Sequence, residues 1–371
     1  MKLWHIAALL VAGIAIGVAL PGRLTSLFGQ ATLYVFLPAL IFEAAWNLDV
    51  HLVKRTAAPI ALLAVPGVAI TAAVIAVCVH YAGALDWNAA LLLGVILSAT
   101  DPVAVVAVFR RLPIPKELAT IVESESLLND AVAVVLYRAI LAAVLASSGA
   151  PAIWRAAGDA VLGIAIGIAL GGALAYVTAF ALRRHIGAPV QSVATFAGAY
   201  AGYFIADRFG WSGIFTVLTF GIVLREVERH RISVTAAQGV DTFWGIVALI
   251  ANVALFFLVG AAIDFRHLVY VLPAAGVTLG AVLLARVLLS YGILAPVRAQ
   301  LKPFWQTVVR MAGIRGALSL ALALATPAAI AQRNLLIDVT FAVVVVTILV
   351  GTLTLTRRLE RLDLRGPTRA R

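Results

Sequence analysis

Three acidic side chains lie inside long apolar runs of the sequence. Asp101, Glu125 and Asp130 each stand in a stretch that is long enough and apolar enough to cross a lipid bilayer. An ionisable side chain at such a depth is costly to bury, and it usually serves ion binding or proton transfer. These carboxylates are therefore the first candidates for a functional site.

The segment that contains Asp101 interrupts its own helix. Pro102 lacks a backbone N–H, and the residue before a proline is pushed out of the α-helical region. Carbonyl groups without helical partners then lie at membrane depth, which is tolerated only beside protein or a water-filled cavity. Broken helices of this kind hold ions in many secondary transporters.

A second polar group follows on the next helix. Ser126 and Asp130 are four residues apart, as are Glu125 and Asn129, so these side chains share one region of the helix surface. Hydroxyl, amide and carboxylate oxygens together suit a hard monovalent cation. Asp130 has no basic residue within two turns along its own helix. It is therefore the best candidate for a carboxylate that binds and releases a proton.

Two arginines are expected near the same depth. At a rise of about 1.5 Å per residue, Asp101 lies roughly 12 Å and Asp130 roughly 16 Å into their spans, and Arg286 and Arg315 lie at about 15 Å. Four charged groups on four spans thus converge near the bilayer centre. Arg315 stands between two glycines in the sequence Gly-Ile-Arg-Gly, which predicts a second helix break. The two broken spans cross in opposite directions, which is typical of inverted repeats.

Each of these charges also has a purely structural interpretation, which the sequence leaves open. Glu125 and Arg286 could form a structural ion pair, because buried charges must be paired. Arg315 could only neutralise helix C-termini where the broken helices cross. Asp101 could be the partner of Arg315 or of a helix N-terminus.

The composition indicates an all-α polytopic membrane protein with a single transmembrane domain over residues 1–371. Of the 371 residues, 63% are hydrophobic and 12% are charged, and the mean hydropathy is +1.06. The single cysteine, Cys78, excludes an intrachain disulfide, and the six histidines show no metal-ligand spacing. The net charge of +11 resides in short loops and the tail, which indicates membrane topology and not a nucleic-acid surface.

We predict twelve membrane spans with short connecting loops. They are roughly 4–20, 30–47, 57–80, 88–110, 119–145, 156–182, 189–206, 211–225, 241–263, 269–296, 304–326 and 335–356. Basic residues concentrate in alternate loops and in a short tail, 357–371, whereas the other loops carry at most one each. The positive-inside rule then puts both termini in the cytoplasm of a cell (inner or plasma) membrane protein.

Two smaller features concern helix packing. Gly163, Gly167 and Gly171 repeat every four residues on the sixth span and permit close helix contact, either inside one subunit or between two. Asn252 is expected to form a hydrogen bond between helices.

Four motifs together resemble one transporter family, the monovalent cation:proton antiporters of the first cation-proton antiporter family, which are related to animal sodium/proton exchangers. The resemblance covers nearly the whole chain. The motifs are Leu37-Pro38 with Phe42-Glu43-Ala44-Ala45 and Asn47-Leu48-Asp49, then Thr100-Asp101-Pro102, then Glu125-Ser126-Leu127-Leu128-Asn129-Asp130, and finally Gly313-Ile314-Arg315-Gly316-Ala317.

The resemblance implies two inverted six-helix repeats, a mobile core, a dimerisation domain and a homodimer in membrane lipid. The core would lie at about 57–145 and 241–356, and the other helices would form the scaffold. By motif match, Asp130 carries either the cation or the proton, and Ser126 and the Thr100 backbone help to coordinate the cation. Asn129 stands where electrogenic relatives have a second aspartate, and Glu125 would pair with Arg286.

The chain departs from the family pattern at both ends. Family members typically have thirteen spans and an outside N-terminus, whereas this chain begins at what resembles their second span. We therefore expect a first repeat that is one helix short, or a misplaced start codon. The long cytoplasmic regulatory tail of the family has no counterpart in the sequence.

The expected function is electroneutral antiport of sodium or lithium against protons, with Asp130 binding the two in competition. Burial disfavours the charged form of a carboxylate, so Asp130 can take up and lose a proton near neutral pH. No cofactor and no catalysis are expected, since the ions themselves are the substrates. The alternatives are a potassium/proton antiporter, a broken-helix symporter for an organic solute, a channel and an intramembrane aspartyl protease.

Overall fold

The computed structural model describes residues 3–19, 23–109, 114–146, 150–182, 187–228, 234–261, 268–300 and 303–361. Within these ranges all regular secondary structure is helical, and there is no β-strand. Apolar runs in a membrane must satisfy their backbone hydrogen bonds internally, and helices do so. The predicted all-α membrane fold is confirmed.

Seventeen α-helices make up most of the described chain. They are α1 (Leu3–Ala19), α2 (Arg23–Asn47), α3 (Val50–Arg55), α4 (Ala57–Ala64), α5 (Pro66–Tyr81), α6 (Trp87–Ile96), α7 (Pro102–Phe109), α8 (Lys116–Leu145), α9 (Ala150–Ala181), α10 (Ala188–Arg208), α11 (Gly213–Glu228), α12 (Val234–Ala261), α13 (Leu268–Leu288), α14 (Pro303–Met311), α15 (Ala317–Ala325), α16 (Arg333–Val346) and α17 (Thr352–Arg361). Two π-helical turns, Leu289–Ile293 and Thr347–Gly351, and a 3-10 helix, Ala295–Gln300, continue some of them.

Each predicted span coincides with one of these helices or with consecutive helical segments. Among the described residues, six continuous helical stretches are long and apolar enough to cross a membrane. These are Ala57–Tyr81, Lys116–Leu145, Arg155–Ala181, Ala237–Leu258, Tyr270–Ile293 and Arg333–Arg361. The predicted fourth and eleventh spans are instead interrupted, as their sequences indicate.

Both predicted helix breaks occur. The fourth span ends its first half at Ile96, leaves residues 97–101 outside any helix, and resumes at Pro102. Asp86 caps the start of this first half, because its side chain accepts a hydrogen bond of 2.7 Å from the Ala89 N–H. The eleventh span ends its first half at Met311 and resumes at Ala317. Each break exposes backbone polar groups in the middle of an otherwise apolar span.

The chain divides into two compact units. The first unit comprises Met1–Ser26, His51–Tyr137 and Phe256–Arg371, and it contains both breaks. It largely overlaps the ranges 57–145 and 241–356 that the sequence assigns to a mobile core, an assignment that stays a prediction.

The second unit comprises Leu27–Val50 and Arg138–Leu255, and a group of aromatic rings fills part of its interior. The ring of Phe42 lies 4.2 Å from that of Trp244 and 5.7 Å from that of Trp46, measured between centroids. The Trp46 indole donates a hydrogen bond of 2.7 Å to Asp241, and the Arg225 guanidinium lies 4.8 Å from the centroid of the Trp46 ring. Asp241 and Arg225 also form an ion pair at 3.3 Å. Both polar partners of Trp46 are thus bound to each other.

The glycine repeat on the sixth span packs inside the second unit. A Cβ atom on Gly167 would lie 2.6 Å from the Ser212 carbonyl oxygen, and one on Gly171 would overlap the Thr216 carbonyl. These glycines therefore let α9 approach the start of α11 within the chain, and a subunit contact is not needed to explain them. The Asn252 amide donates to the Ala248 carbonyl of its own helix at 2.9 Å, and the predicted hydrogen bond between helices stays a prediction.

Candidate cation and proton site

The first break is held against α8 by two side chains that the sequence singled out. The Ser126 hydroxyl donates to the Thr100 carbonyl at 2.5 Å, and the Asn129 amide donates to the Thr100 hydroxyl at 2.6 Å. The Thr100 N–H lies 3.3 Å from the Asn129 side-chain oxygen, which accepts from it. All three residues are buried. The spacing of Ser126 and Asn129 along α8 therefore lets one helix face form hydrogen bonds to the backbone and the side chain of a single unwound residue, Thr100.

Asp130 lies beside this arrangement with unused hydrogen-bonding capacity. Its Oδ1 atom is buried and has no hydrogen-bond partner among the described residues. The side chain as a whole keeps part of its surface exposed. The Thr100 backbone, the carboxylates of Asp101 and Glu125 and the Arg315 guanidinium all lie near enough to interact with it electrostatically. A buried acceptor without a donor is unfavourable unless a proton or a cation fills it.

Glu125 and Arg286 are in contact. Arg286 Nη1 lies 3.3 Å from Glu125 Oε1, and both side chains are almost completely buried. The Asn129 amide donates to the same carboxylate oxygen at 3.1 Å. Gly313 fits against the Arg286 guanidinium, where a Cβ atom would overlap it. The glycine of the second break therefore makes room for this arginine.

Arg315 reaches from the second break to the first. It is fully buried, and its Nη1 donates to the carbonyls of Ser98 and Ala99 at 3.0 and 3.2 Å. These carbonyls directly follow the C-terminal end of α6, where the helix dipole favours a positive charge. The guanidinium therefore compensates the unpaired carbonyls of the first break.

Asp101 makes the reciprocal contact. Its N–H donates to the Ile314 carbonyl at 2.8 Å, and its carboxyl group packs on Gly316, where a Cβ atom would overlap it. Gly316 is the N-cap residue of α15, whose first turn favours a negative charge. Each break therefore supplies a charge to the helix end that the other break exposes.

The structure brings the predicted residues into one neighbourhood of the first unit. Pro102 begins α7, and its side chain lies outside the described ones. Sequence reasoning missed the Ser98 and Ala99 carbonyls, because an unwound backbone carries no side-chain signature. It also missed Thr347, whose hydroxyl accepts a hydrogen bond of 3.2 Å from the Arg315 N–H. Nothing in the sequence distinguishes Thr347 from Thr340 and Thr352 on the same apolar span, because its proximity to Arg315, 32 residues earlier, depends on packing.

Comparisons with known proteins give the chain a family. The family model described as "Sodium/hydrogen exchanger, transmembrane" matches residues 1–361. The Na(+)/H(+) antiporter ApNhaP of Aphanothece halophytica is 33% identical over 349 residues, covering 93% of this chain and 67% of the relative. The Na(+)/H(+) antiporter NhaP of Pseudomonas aeruginosa is 32% identical over 338 residues, covering 87% and 78%.

A solved structure shares the fold. The sodium proton antiporter MjNhaP1 from Methanocaldococcus jannaschii superposes with a TM-score of 0.79 at 22% identity, covering 94% of this chain and 92% of that protein. At this identity the likeness concerns the fold alone. The family match over nearly the full length and the similarity to curated relatives carry the assignment: the chain belongs to the sodium/hydrogen exchanger family.

Proposed function

We propose that this chain exchanges Na⁺ or Li⁺ for H⁺ across a cell membrane, with Asp130 binding either ion in turn. The observation that carries the proposal is the buried Asp130 Oδ1, which has no hydrogen-bond partner among the described residues. The same carboxyl group adjoins the Thr100 backbone, and the Thr100 hydroxyl on the first break lies 3.2 Å from the Ser126 hydroxyl on α8. These oxygens are of the kind that hard monovalent cations prefer.

The exchange step needs only a proton transfer. In the proton-loaded form, Asp130 is a neutral carboxylic acid. When a sodium ion binds, the O–H bond breaks, the proton leaves to water, and the carboxylate retains the electron pair that then faces the cation. Because the two ions compete for one carboxyl group, binding of one releases the other. This competition couples the two ion flows.

The charges around Asp130 support one proton per cation. The neighbouring carboxylates are those of Asp101 and Glu125, and the neighbouring guanidinium groups are those of Arg286 and Arg315. With Asp130 ionised, three negative charges face two positive ones. Either a proton or a sodium ion cancels the remaining charge. Asn129 is uncharged and carries no second proton, so we infer electroneutral exchange.

The same charge balance suggests why the empty site does not cross. An uncompensated charge is costly in the bilayer interior, whereas the loaded site is neutral with either ion. We therefore propose alternating access in which only the loaded core moves. The core would consist of the helices near the two breaks, at about 57–145 and 241–356, and the remaining helices would form a scaffold.

Glu125 and Arg286 then have a structural role. Their ion pair stays formed throughout the cycle, so Glu125 contributes no proton. We further propose a homodimer in a lipid membrane with both termini in the cytoplasm. The distribution of basic residues supports this orientation.

The names of the relatives support the choice of ions. Both curated relatives described above are Na(+)/H(+) antiporters by name. Potassium is the alternative cation, because selectivity depends on the size and field strength of the cavity.

The test is sodium-driven proton movement in vesicles. Purified protein is reconstituted into proteoliposomes that contain a pH-sensitive dye, and sodium, lithium or potassium is added outside. We expect a pH change with sodium and lithium and none in empty liposomes. A cation flux without proton movement would refute antiport. A response to potassium alone would assign potassium as the substrate.

A further inference from the structure

The last span contains a local irregularity beside the second break. A π-helical turn, Thr347–Gly351, joins α16 to α17. Such turns widen a helix by one residue and occur frequently at functional sites. Gly351 of this turn lies against Ile314, since a Cβ atom there would be 3.2 Å from Ile314 Cγ1. The turn therefore packs directly on the unwound residues between α14 and α15.

One hydrogen bond joins the two segments. The Arg315 N–H donates to Thr347 Oγ1 at 3.2 Å, and the same hydroxyl donates to the Val344 carbonyl at 3.0 Å. A hydroxyl has one proton and two acceptor positions. Since Val344 receives the proton, the lone pairs of Thr347 are oriented for the Arg315 N–H. This N–H belongs to an unwound residue, so no helical carbonyl takes it.

Arg315 and the peptide before it contact the first break in two ways. The Arg315 side chain bonds the Ser98 and Ala99 carbonyls, and the peptide before it bonds Asp101 through the Ile314 carbonyl. A shift of the Arg315 backbone therefore moves both anchors of residues 98–101. Thr100 lies between those anchors and next to Asp130.

We propose that Thr347 is a positioning residue for the cation site. Its hydroxyl holds the backbone of the second break through the Arg315 N–H. The second break in turn holds the carbonyl oxygens of the first break through the Arg315 side chain. The inference rests on the proposed exchange of cation for proton. Thr347 itself touches neither ion.

A positioning role makes a different prediction from a stabilising role. Without the acceptor, the Arg315 N–H is buried and unpaired, so the chain populates arrangements in which residues 98–101 have moved. The apparent cation affinity then equals the intrinsic affinity multiplied by the fraction of molecules that retain the binding arrangement. Substitution of a residue that only stabilises the fold lowers the amount of folded protein and leaves the cation affinity of the folded protein unchanged.

The experiment compares three variants in proteoliposomes, with exchange normalised to folded protein. Thr347→Val removes the acceptor and keeps the shape of the side chain. Thr347→Ser keeps the hydroxyl. Thr340→Val is the matched control, because Thr340 is fully buried on α16 and its hydroxyl bonds the Leu336 carbonyl of the same helix at 2.7 Å. If Thr347→Val is not recovered folded, Thr347→Ala removes the same oxygen with less crowding and replaces it.

We expect the sodium concentration for half-maximal exchange to rise about tenfold in Thr347→Val, within the range expected when a buried N–H loses its partner. Thr347→Ser and Thr340→Val should stay within about twofold of the parent chain, since both keep the hydrogen bond to Arg315. An unchanged half-maximal concentration in Thr347→Val, or equal impairment in Thr340→Val or Thr347→Ser, overturns the inference. Absence of exchange in the parent chain overturns the proposed function instead, so the two failures are distinguishable.

Discussion

The contact between Glu125 and Arg286 makes a quantitative prediction about stability. Their charged atoms are 3.3 Å apart, and the side chains are only 4% and 6% exposed, respectively. At this burial, removal of one partner leaves the other charge shielded from water and without the group that contacts it. Breaking such a pair costs about 3–5 kcal/mol of unfolding free energy. We expect Glu125→Gln and Arg286→Met each to fall in that range.

The two losses should not add. The double variant Glu125→Gln/Arg286→Met contains no stranded charge, and apolar replacement of a buried pair is often close to neutral. We therefore expect it to be more stable than the sum of the single variants predicts, by at least about 2 kcal/mol. We expect part of the stability loss to remain in the double variant. In the parent chain the Asn129 amide donates to the Glu125 carboxylate at 3.1 Å, and in the variant it faces an uncharged glutamine.

The measurement is unfolding of the purified protein in mixed micelles titrated with a denaturing detergent. The control is the pair Arg138–Asp207, whose side chains are 40% and 19% exposed. An ion pair with that much exposure contributes at most about 1 kcal/mol, so Asp207→Asn should have a much smaller effect than Glu125→Gln.

Cation affinity provides the second readout. A structural pair contributes to folding and not to ligation, so the half-maximal sodium concentration of folded single variants should change less than their stability does. If the double variant lost as much stability as the two singles combined, the residues would be uncoupled and the structural pair would have to be abandoned.

Three further predictions concern the site. Asp130→Asn should abolish sodium-driven proton movement in a folded protein, whereas Asp159→Asn, which removes an exposed carboxylate from α9, should leave it intact; substantial residual exchange in the first variant would exclude Asp130 as the carrier. Exchange should be insensitive to a membrane potential set with valinomycin and potassium, because one charge moves each way; a rate that follows the potential would mean more than one proton per cation. Gly316→Ala should disrupt the crossing and exchange, because its Cβ would overlap Asp101, while Gly172→Ala on α9 has open space and should be neutral or stabilising by up to about 1 kcal/mol; equal tolerance of both alanines would contradict the packing described at Gly316.

The fold was predictable because the sequence features that determine it are long apolar runs and residues that break helices. Continuous apolar runs located the helices, although α2, α9 and α12 begin six or seven residues before the predicted spans, and Pro102 and the glycines around Arg315 located both breaks. These signals depend on the backbone and on the bilayer, which act in the same way wherever the sequence occurs. The π-helical turns carried no such signal, since Thr347 and Gly351 are ordinary residues in an apolar helix.

The grouping of the candidate residues was predictable from the sequence, whereas their contacts across the chain were not; their role in ion binding stays a prediction. Spacing along α8 put Ser126, Asn129 and Asp130 together, because neighbours on one helix are fixed by helix geometry. The pairing of Arg315 with the Ser98 and Ala99 carbonyls required the packing of two distant spans. The partner of Arg138 was equally unpredictable, because Asp207 is 69 residues away in the chain.

The aromatic group of the second unit has a spectroscopic consequence. Phe42 is held between Trp46 and Trp244, and the Phe196 ring stacks 6.0 Å from Trp244. Aromatic side chains held in fixed orientations give circular dichroism bands in the near ultraviolet, and these bands disappear when tertiary packing loosens while the helices persist. Leu27–Val50 and Arg138–Leu255 therefore carry an intrinsic chromophore of their own. Near-ultraviolet spectra recorded with and without sodium would report on this packing, together with contributions from the Tyr81–Trp87 and Phe304–Trp305 pairs of the first unit.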